Sequence, residues 1–494
     1  MVNGELKKDI HWLNCVTKKN EQFSPRHSQS RTNVLSAALQ LPLLIYRRSA
    51  QCMSIKCILC EHNALDRQTL AELLPKNRKK VRLFFLNCFW YGIMKKLKKM
   101  ERRLLMAVTE KNNKLSPLLK YPGGKEKELK YILPNLPENC NCYFEPFVGG
   151  GAVYFAVDSD KYYINDKSVE LIHLYQMIQK QNPEFLKKIN DIDCHWTNME
   201  EIIENHTDEL VCIYFQYKKG KLNICQLSDA ITEFVIQNAE EFNGLLRTSF
   251  NIAIDNFLQE LIKSFKNKIT RMEKLEKQKG DLQLSDIILN LEGAFKNAFY
   301  MHFRYLYNHI EELEIGVPFA TAIYFFIREY CYASMFRYNK SGKFNVPYGG
   351  ISYNKKSMTK KVQYFVSEEL VKQLEGTVVE NLDFEEFFRI HVPEHDDFIF
   401  LDPPYDTEFS TYAKNEFGKE DQIRLANFLI QNCRANFMLI IKNTEFIRSI
   451  YPAGQKTANG QQLYISKFDK KYVVSFQDRN DKDVEHLLIT NYPL

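Results

Sequence analysis

Short apolar runs without polar interruption recur at wide intervals in the C-terminal part of the chain: Phe398-Ile399-Phe400-Leu401, Phe437-Met438-Leu439-Ile440-Ile441 and His486-Leu487-Leu488-Ile489. Unalternated runs of this length predict strands buried on both faces of a mainly parallel sheet, since such sheets carry helices on both sides. An earlier block has the same texture. Tyr143 to Val148 reads as a strand entering a glycine-rich turn, Ala152 to Ala156 as the helix that follows, and Tyr162 to Ile164 as a strand ending at Asn165-Asp166. Strand, glycine turn, helix and strand in that order predict a nucleotide-binding α/β unit. Between the two blocks, from about 185 to 335, the period becomes helical, as in Phe257, Leu258, Leu261, Ile262 and Phe265. The charged run KSFKNKITRMEKLEKQKG, residues 263 to 280, fits a solvated helix face. The expectation is one α/β domain with a helical insertion.

Composition adds bounds rather than identity. The 494 residues, 45% hydrophobic and 26% charged, are those of a globular protein of two or three domains' length. The formal net charge of +6, from 67 basic and 61 acidic residues, tolerates a polyanionic partner without requiring one. The 12 cysteines are scattered, as thiols kept reduced in a cytosol are. Only Cys52, Cys57, Cys60 and His62 cluster, and one CxxC with one histidine is a poor zinc set, so no metal is expected. No run of about 20 apolar residues exists, so no membrane span is expected. The nearest, Val81 to Met94, is broken by Arg82 and Asn87 and flanked by basic clusters, as in a basic amphipathic helix. Residues 1 to 105 show no period and no motif and read as a poorly ordered extension; Met106 opens a stretch resembling a natural protein start. Residues 106–184 then form one part of the α/β domain, 185–360 the insertion with its following hairpin, and 361–494 the remainder.

The chemistry concentrates where Phe398–Leu401 delivers Asp402-Pro403-Pro404-Tyr405, because open α/β sheets bind ligands at the carboxyl ends of their strands. Two prolines fix two φ angles and remove two N–H donors, so the strand stops and leaves a carboxylate and a free carbonyl side by side. That pair suits an amino group on an aromatic base, whose lone pair is delocalised into the ring. Hydrogen bonds from its two hydrogens to the Asp402 carboxylate and the Pro403 carbonyl favour the tetrahedral nitrogen that attacks, and Tyr405 stacks on the base. A duplex hides that atom, so the base must be flipped out. The bland alternative is a proline turn without function.

Two glycine turns lie upstream. Phe144-Glu145-Pro146-Phe147-Val148-Gly149-Gly150-Gly151 lets the backbone approach a ligand closely, and a helix opening there would favour an anion such as a methionine carboxylate. Asp166, 21 positions after Glu145 and at the next strand end, is placed to hold ribose hydroxyls, or simply to cap a helix. Lys120-Tyr121-Pro122-Gly123-Gly124-Lys125 is too short for a phosphate-binding loop; Lys125 can meet a carboxylate and Tyr121 pack on a ligand ring.

In this order, KYPGGK, FEPFVGGG, IND, FRYNKSGKFNVPYG and DPPY resemble the motifs of the Dam-like family of adenine-specific DNA methyltransferases. The resemblance covers roughly residues 115 to 494 and is weak between about 185 and 330. It implies a Rossmann-like methyltransferase sheet, S-adenosylmethionine as methyl donor, no metal, a cytoplasmic location, and the exocyclic amine of adenine in double-stranded DNA as acceptor. A cognate restriction endonuclease acting separately accompanies some members, while others are solitary. Motif by motif, it implies that Tyr121 and Lys125 belong to the amino-terminal donor motif, where many relatives have Trp in place of Tyr121. Phe147, Gly149 and Gly151 match the donor loop, Asp166 the ribose acid, and Asp383-Phe384 the motif lining the donor's adenine pocket. Asp402, Pro403, Pro404 and Tyr405 match the catalytic tetrad, Asp402 also bordering the donor. Arg337, Asn339 and Asn345 match a DNA-contacting hairpin, Ser475 to Asn480 a closing segment, and the helical insertion the region of target recognition. Aromatic residues of that insertion, Phe299, Tyr300, Phe303, Tyr305 and Tyr307, read as core. The alternatives are a methyltransferase of RNA base amines and a catalytically inactive DNA-binding relative; cytosine-amine enzymes usually carry Ser where this chain has Asp402.

Overall fold

In the computed structural model of the chain, the residues described are 115 to 494 except 122, 138–139, 248–249, 406–416 and 472–482. The extension, Cys52, Cys57, Cys60 and His62, the segment Val81 to Met94, Met106 and the stretch Ser475 to Asn480 lie outside the described residues. Seven strands form one sheet: β1 Cys142–Glu145, β2 Lys161–Asn165, β3 Thr377–Glu380, β4 Phe398–Leu401, β5 Asn436–Lys442, β6 Tyr464–Lys471 and β7 Asp483–Thr490. Their order is β3-β2-β1-β4-β5-β7-β6. Strands β1 to β5 pair in parallel, and β7 runs antiparallel between β5 and β6. This is the mainly parallel α/β sheet anticipated from the apolar runs, and it has the Rossmann-like form that the resemblance implies.

Both-face burial explains those runs residue by residue. In β4, Phe398 and Phe400 join a core with Tyr143, Tyr162, Met438, Ile440 and Leu488, while Ile399 and Leu401 join a second core with Phe144, Phe437, Leu439, Leu487 and Ile489. Successive side chains point to opposite faces of a strand, so a strand covered on both sides has no polar position left.

Among the described residues ten α-helices lie between β2 and β3: α1 Val169–Gln179, α2 Pro183–Asn205, α3 Thr207–Lys218, α4 Ile224–Gln237, α5 Ala239–Arg247, α6 Ile254–Lys279, α7 Leu284–Asn308, α8 Val317–Tyr330, α9 Thr359–Phe365 and α10 Glu368–Glu375. They share the first of the two cores. In α6, Phe257, Leu261, Phe265, Ile269 and Met272 are buried at helical spacing. Trp196 of α2 ties the layer together: its ring lies 4.3 Å from Tyr330, 5.5 Å from Phe326 and 6.2 Å from Phe299, and its Nε1 donates to the Lys356 carbonyl at 2.9 Å. The second face carries α11 Phe384–Ile390 and α12 Lys419–Asn427, with α13 Glu445–Ile450 following β5. Among the described residues no helix is long and apolar enough to cross a membrane.

One expected element is absent. Ala152 to Ala156 forms no α-helix; Tyr154–Ala156 makes a single 3-10 turn and Val157 is already extended. Only four residues, 157 to 160, separate that turn from β2 at Lys161, too few to complete a helix and return to the sheet. The chain reaches its crossover helix later, at α1, where the Ser168 side chain accepts from the Leu171 N–H.

Burial of a titratable group in the insertion generates a prediction. His302 of α7 is fully buried, its Nε2 has no hydrogen-bond partner, and burial lowers its pKa to about 3. The unfolded chain therefore takes up a proton below about pH 6.5 that the folded chain refuses, and stability falls as pH drops from there toward 3. At pH 5 the loss from this residue amounts to about 2 kcal/mol. Urea unfolding at pH 7.5 and pH 5 should show a drop in stability that is smaller by about that amount in His302→Leu; an identical drop in both proteins contradicts the assignment.

Candidate active site

The strand order reverses beside β1, which has β2 on one side and β4 on the other. Because β1 and β4 are neighbours and parallel, the loops leaving them emerge at the same edge of the sheet, the position where open α/β folds bind ligands. After β4, Pro403 and Pro404 end the ladder, and the buried Gln422 of α12 donates to the Pro404 carbonyl at 2.8 Å. Among the described residues no backbone N–H bonds to the Pro403 carbonyl.

Lys125 comes to this strand end from a turn 277 positions upstream. Its Nζ is ion-paired with Asp402 Oδ2, donates to the Gly123 carbonyl at 2.9 Å, and lies 3.3 Å from the Tyr405 hydroxyl. Lys125 is 3% exposed, and an ammonium so buried requires a counter-charge. The Tyr405 hydroxyl stands 3.5 Å from Asp402 Oδ1, and its ring meets His486 edge-on at 5.4 Å. Glu145, ending β1, is buried and accepts from the Tyr143 hydroxyl at 2.7 Å. Burial pushes its carboxyl well up, the Tyr143 bond opposes this, and the nearby Asp402 adds to the rise. The neutral form of Glu145 is thereby favoured.

The loop after β1 is built by close approach. Gly149 and Gly151 have φ of +51° and +81°, values that L side chains rarely adopt. A Cβ on Gly149 would stand 3.2 Å from the Tyr121 ring, and one on Gly151 would stand 2.6 Å from the Tyr175 hydroxyl and 2.7 Å from the Phe155 ring. Asp166 holds the loop: Oδ2 accepts from the Gly149 N–H at 3.0 Å and Oδ1 from the Ser168 N–H at 2.9 Å. Burial raises the Asp166 carboxyl, and those two bonds oppose the rise. The neighbouring Asn165 donates to the carbonyls of Pro146 and Leu382, each at 3.1 Å, and accepts from the Leu382 N–H at 2.8 Å, so the loops after β1, β2 and β3 are tied together.

Asp383 caps α11, accepting from the Glu385 N–H at 3.1 Å, and pairs with Arg424 at 3.2 Å and Lys167 at 3.3 Å. Burial pushes its carboxyl up, but the hydrogen bonds from Arg424, the Glu385 N–H and Lys167, with the Arg424 charge, together outweigh this and hold it below the usual carboxylate range. The Phe147 ring lies 5.9 Å from Phe384 and 5.5 Å from Phe417, with the Arg424 guanidinium 4.8 Å from Phe384. Three phenylalanines from three separate segments, Phe384 opening α11, thus form an apolar wall beside the glycine loop. Neither Phe417 nor Arg424 belongs to a recognisable motif, and Gln422 is an unremarked helix residue in the sequence.

The segment after α8 is a hairpin. Tyr338 bridges Phe344, the Asn339 N–H donates to the Lys343 carbonyl at 2.8 Å, and Arg337 Nε donates to Asn345 Oδ1 at 3.2 Å. Asn339 Oδ1 accepts from the N–H groups of Ser341 at 3.0 Å and Lys343 at 2.9 Å, so this oxygen shapes the tip. Arg337 and Asn339 are exposed and Asn345 is half-buried. The hairpin is moored by α7: the Tyr338 and Tyr307 hydroxyls are 2.9 Å apart, Tyr300 donates to the Val346 carbonyl at 2.9 Å, and Asn308 exchanges bonds with the Phe344 backbone. Phe299, Tyr300, Phe303 and Tyr307 are buried, as a core reading requires, whereas Tyr305 is only half-buried and packs against the edge of that core.

Comparison with known proteins adds to this geometry. A family model described as D12 class N6 adenine-specific DNA methyltransferase matches residues 121–301 and 250–464. The chain is 24% identical over 382 residues to the type II methyltransferase M.CviBI of Paramecium bursaria Chlorella virus NC1A, covering 76% of this chain and 100% of the relative. It is 26% identical over 395 residues to the type II methyltransferase M.MjaIII of Methanocaldococcus jannaschii, covering 76% and 99%. It is 22% identical over 368 residues to the DNA adenine methylase of Haemophilus influenzae, covering 72% and 90%.

The crowding in the loop can be tested directly. Gly151→Ala should destabilise the protein by about 2–4 kcal/mol, because backbone strain and overlap with two buried rings add. Gly123→Ala, also at positive φ but with nothing within 4 Å of the new Cβ, should cost only about 1 kcal/mol. Equal urea-unfolding midpoints for the two variants would contradict the packing described.

Proposed function

The chain belongs to the D12 class of N6 adenine-specific DNA methyltransferases, and on that premise we propose that it transfers a methyl group from S-adenosylmethionine to the exocyclic amine of a flipped adenine, with Asp402 to Tyr405 as the catalytic tetrad. The observation that carries the reading is the meeting of Asp402 with Lys125 at a strand end adjacent to the glycine loop.

The donor, when bound, supplies a methyl group on a sulfonium, an electrophile whose leaving group is a neutral thioether. The residues present fit it. The positive-φ glycines 149 and 151 make a cradle that side chains would fill. Asp166 uses one lone pair of each oxygen on the loop and keeps others for ribose hydroxyls. Phe147, Phe384 and Phe417 offer an apolar wall to an adenine ring, with Asp383 at its rim, and Tyr121 lies against the loop itself.

For the acceptor, the Asp402 carboxylate and the Pro403 carbonyl each accept a hydrogen bond from one N–H of the amine, localising its lone pair on the nitrogen; the amine attacks the methyl carbon as the thioether leaves, and the nitrogen then sheds one proton. Lys125 pairs with Oδ2 and so leaves Oδ1, 3.5 Å from the Tyr405 hydroxyl, to face the base. The favoured neutrality of Glu145 withholds a second negative charge that would compete for Lys125. Tyr405, backed by His486, presents a face for stacking. Catalysis then rests on positioning and preorganised charge. Arg337, Asn339 and Asn345 contact duplex DNA from the hairpin, and the helical insertion chooses the site. Two of the relatives are named type II methyltransferases and a third a DNA adenine methylase, which supports a cytoplasmic modification enzyme, either of a restriction-modification system with a separate endonuclease or solitary.

Replacing the carboxylate tests the reading. Asp402→Ala should lower formation of N6-methyladenine in duplex DNA by roughly 10³-fold or more while DNA affinity stays within a few fold. Undiminished methylation by this variant would refute the assigned role.

A further inference from the structure

The missing helix after Gly151 removes the expected partner for one charged group of the donor. A three-residue 3-10 turn supplies no macrodipole to hold a methionine carboxylate, and Lys125, the cation of the other glycine turn, is committed to Asp402. A different cation stands at this edge. Arg328, in the last turn of α8, is 3% exposed. Its Nη2 donates at 3.3 Å to the Lys120 carbonyl, its Nε has no hydrogen-bond partner, and among the described residues no carboxylate pairs with it. The guanidinium is enclosed by aromatic rings, 4.2 Å from Phe336, 4.9 Å from Tyr121 and 5.9 Å from Tyr324. Ring faces offset part of the cost of burying it, but a desolvated guanidinium still lacks an anion.

The enclosure is continuous with the donor cradle. Tyr121 is in contact with Gly149, and the Leu118 N–H donates to the Gly150 carbonyl at 3.1 Å, so the strand of chain that Arg328 clamps is sewn to the loop. The Tyr121 ring thus meets the Arg328 guanidinium at 4.9 Å and also lies against Gly149, whose N–H Asp166 holds at 3.0 Å. We propose that Arg328 binds the α-carboxylate of the methyl donor, its fork of N–H groups recognising the amino-acid end while Asp166 takes the ribose. This rests on the donor reading above and adds the residue that neutralises the donor's carboxylate.

The test is calorimetric titration of the full chain with S-adenosylhomocysteine and with 5′-deoxy-5′-(3-aminopropylthio)adenosine, which lacks only the carboxylate. The native protein should prefer the first by about 10- to 100-fold. In Arg328→Met the preference should shrink to about 2-fold or less, with affinity for the decarboxylated compound nearly unchanged, and Arg328→Lys should restore part of it. Equal loss of affinity for both compounds, or a preference that survives Arg328→Met, overturns the proposal and leaves the arginine a packing role. If the native protein binds neither compound, the donor reading falls and the proposal with it.

Discussion

A buried ammonium must find a counter-charge in the place where it is buried, and this requirement pins Lys125 to Asp402 across 277 positions of chain. The contact fixes more than two side chains. It brings the first glycine turn over the end of β4, and with it the Leu118–Tyr121 segment that lies against the second glycine turn after β1. It also explains the difference between two carboxyl groups near one another: Asp402 has the cation, whereas burial keeps Glu145 toward its neutral form with the Tyr143 hydroxyl as partner.

The sheet makes that arrangement reachable. Neighbouring parallel strands deliver the glycine loop and the tetrad to one edge, and Asn165 ties three loops there through its amide. The insertion does not stand apart as a separate body; its helices share a core with one face of the sheet. Through α8 it lends Arg328 to the enclosure beside the glycine loop, and through α7 it moors the hairpin that carries Arg337 and Asn345. The proposed donor site, the proposed acceptor site and the hairpin are thus three outputs of one continuous packing arrangement.

What could be read in advance follows from how local each cause is. The strands β4, β5 and β7 were legible because burial on both faces writes an unbroken apolar run into the sequence itself. The edge strands are not so written: Thr377–Glu380 is only partly buried, and Tyr464–Lys471 interleaves lysines with apolar residues. The helix anticipated at Ala152 to Ala156 failed on length, a constraint that appears only once β2 is known to begin at Lys161. Motif residues such as Asp402, Asp166 and Gly149 were nameable from order and spacing. Their partners were not: nothing in the sequence says that Lys125 meets Asp402, that Gln422 holds the Pro404 carbonyl, or that Phe417 closes a wall with Phe147. Arg328 carried no signal at all, since an arginine in a helical run normally faces water, and only its burial makes it notable.

The central claim is that Lys125 works through Asp402, and a double-mutant cycle on single-turnover methyl transfer measures this most directly. Rate constants for native, Lys125→Met, Asp402→Asn and the double variant on the same duplex give the coupling between the two positions. If the ion pair organises the site, removing Lys125 should cost roughly 10²-fold in the native background but only a few fold once Asp402 is an amide. Losses that simply multiply would contradict the account and would mean that the two residues act on separate parts of the reaction.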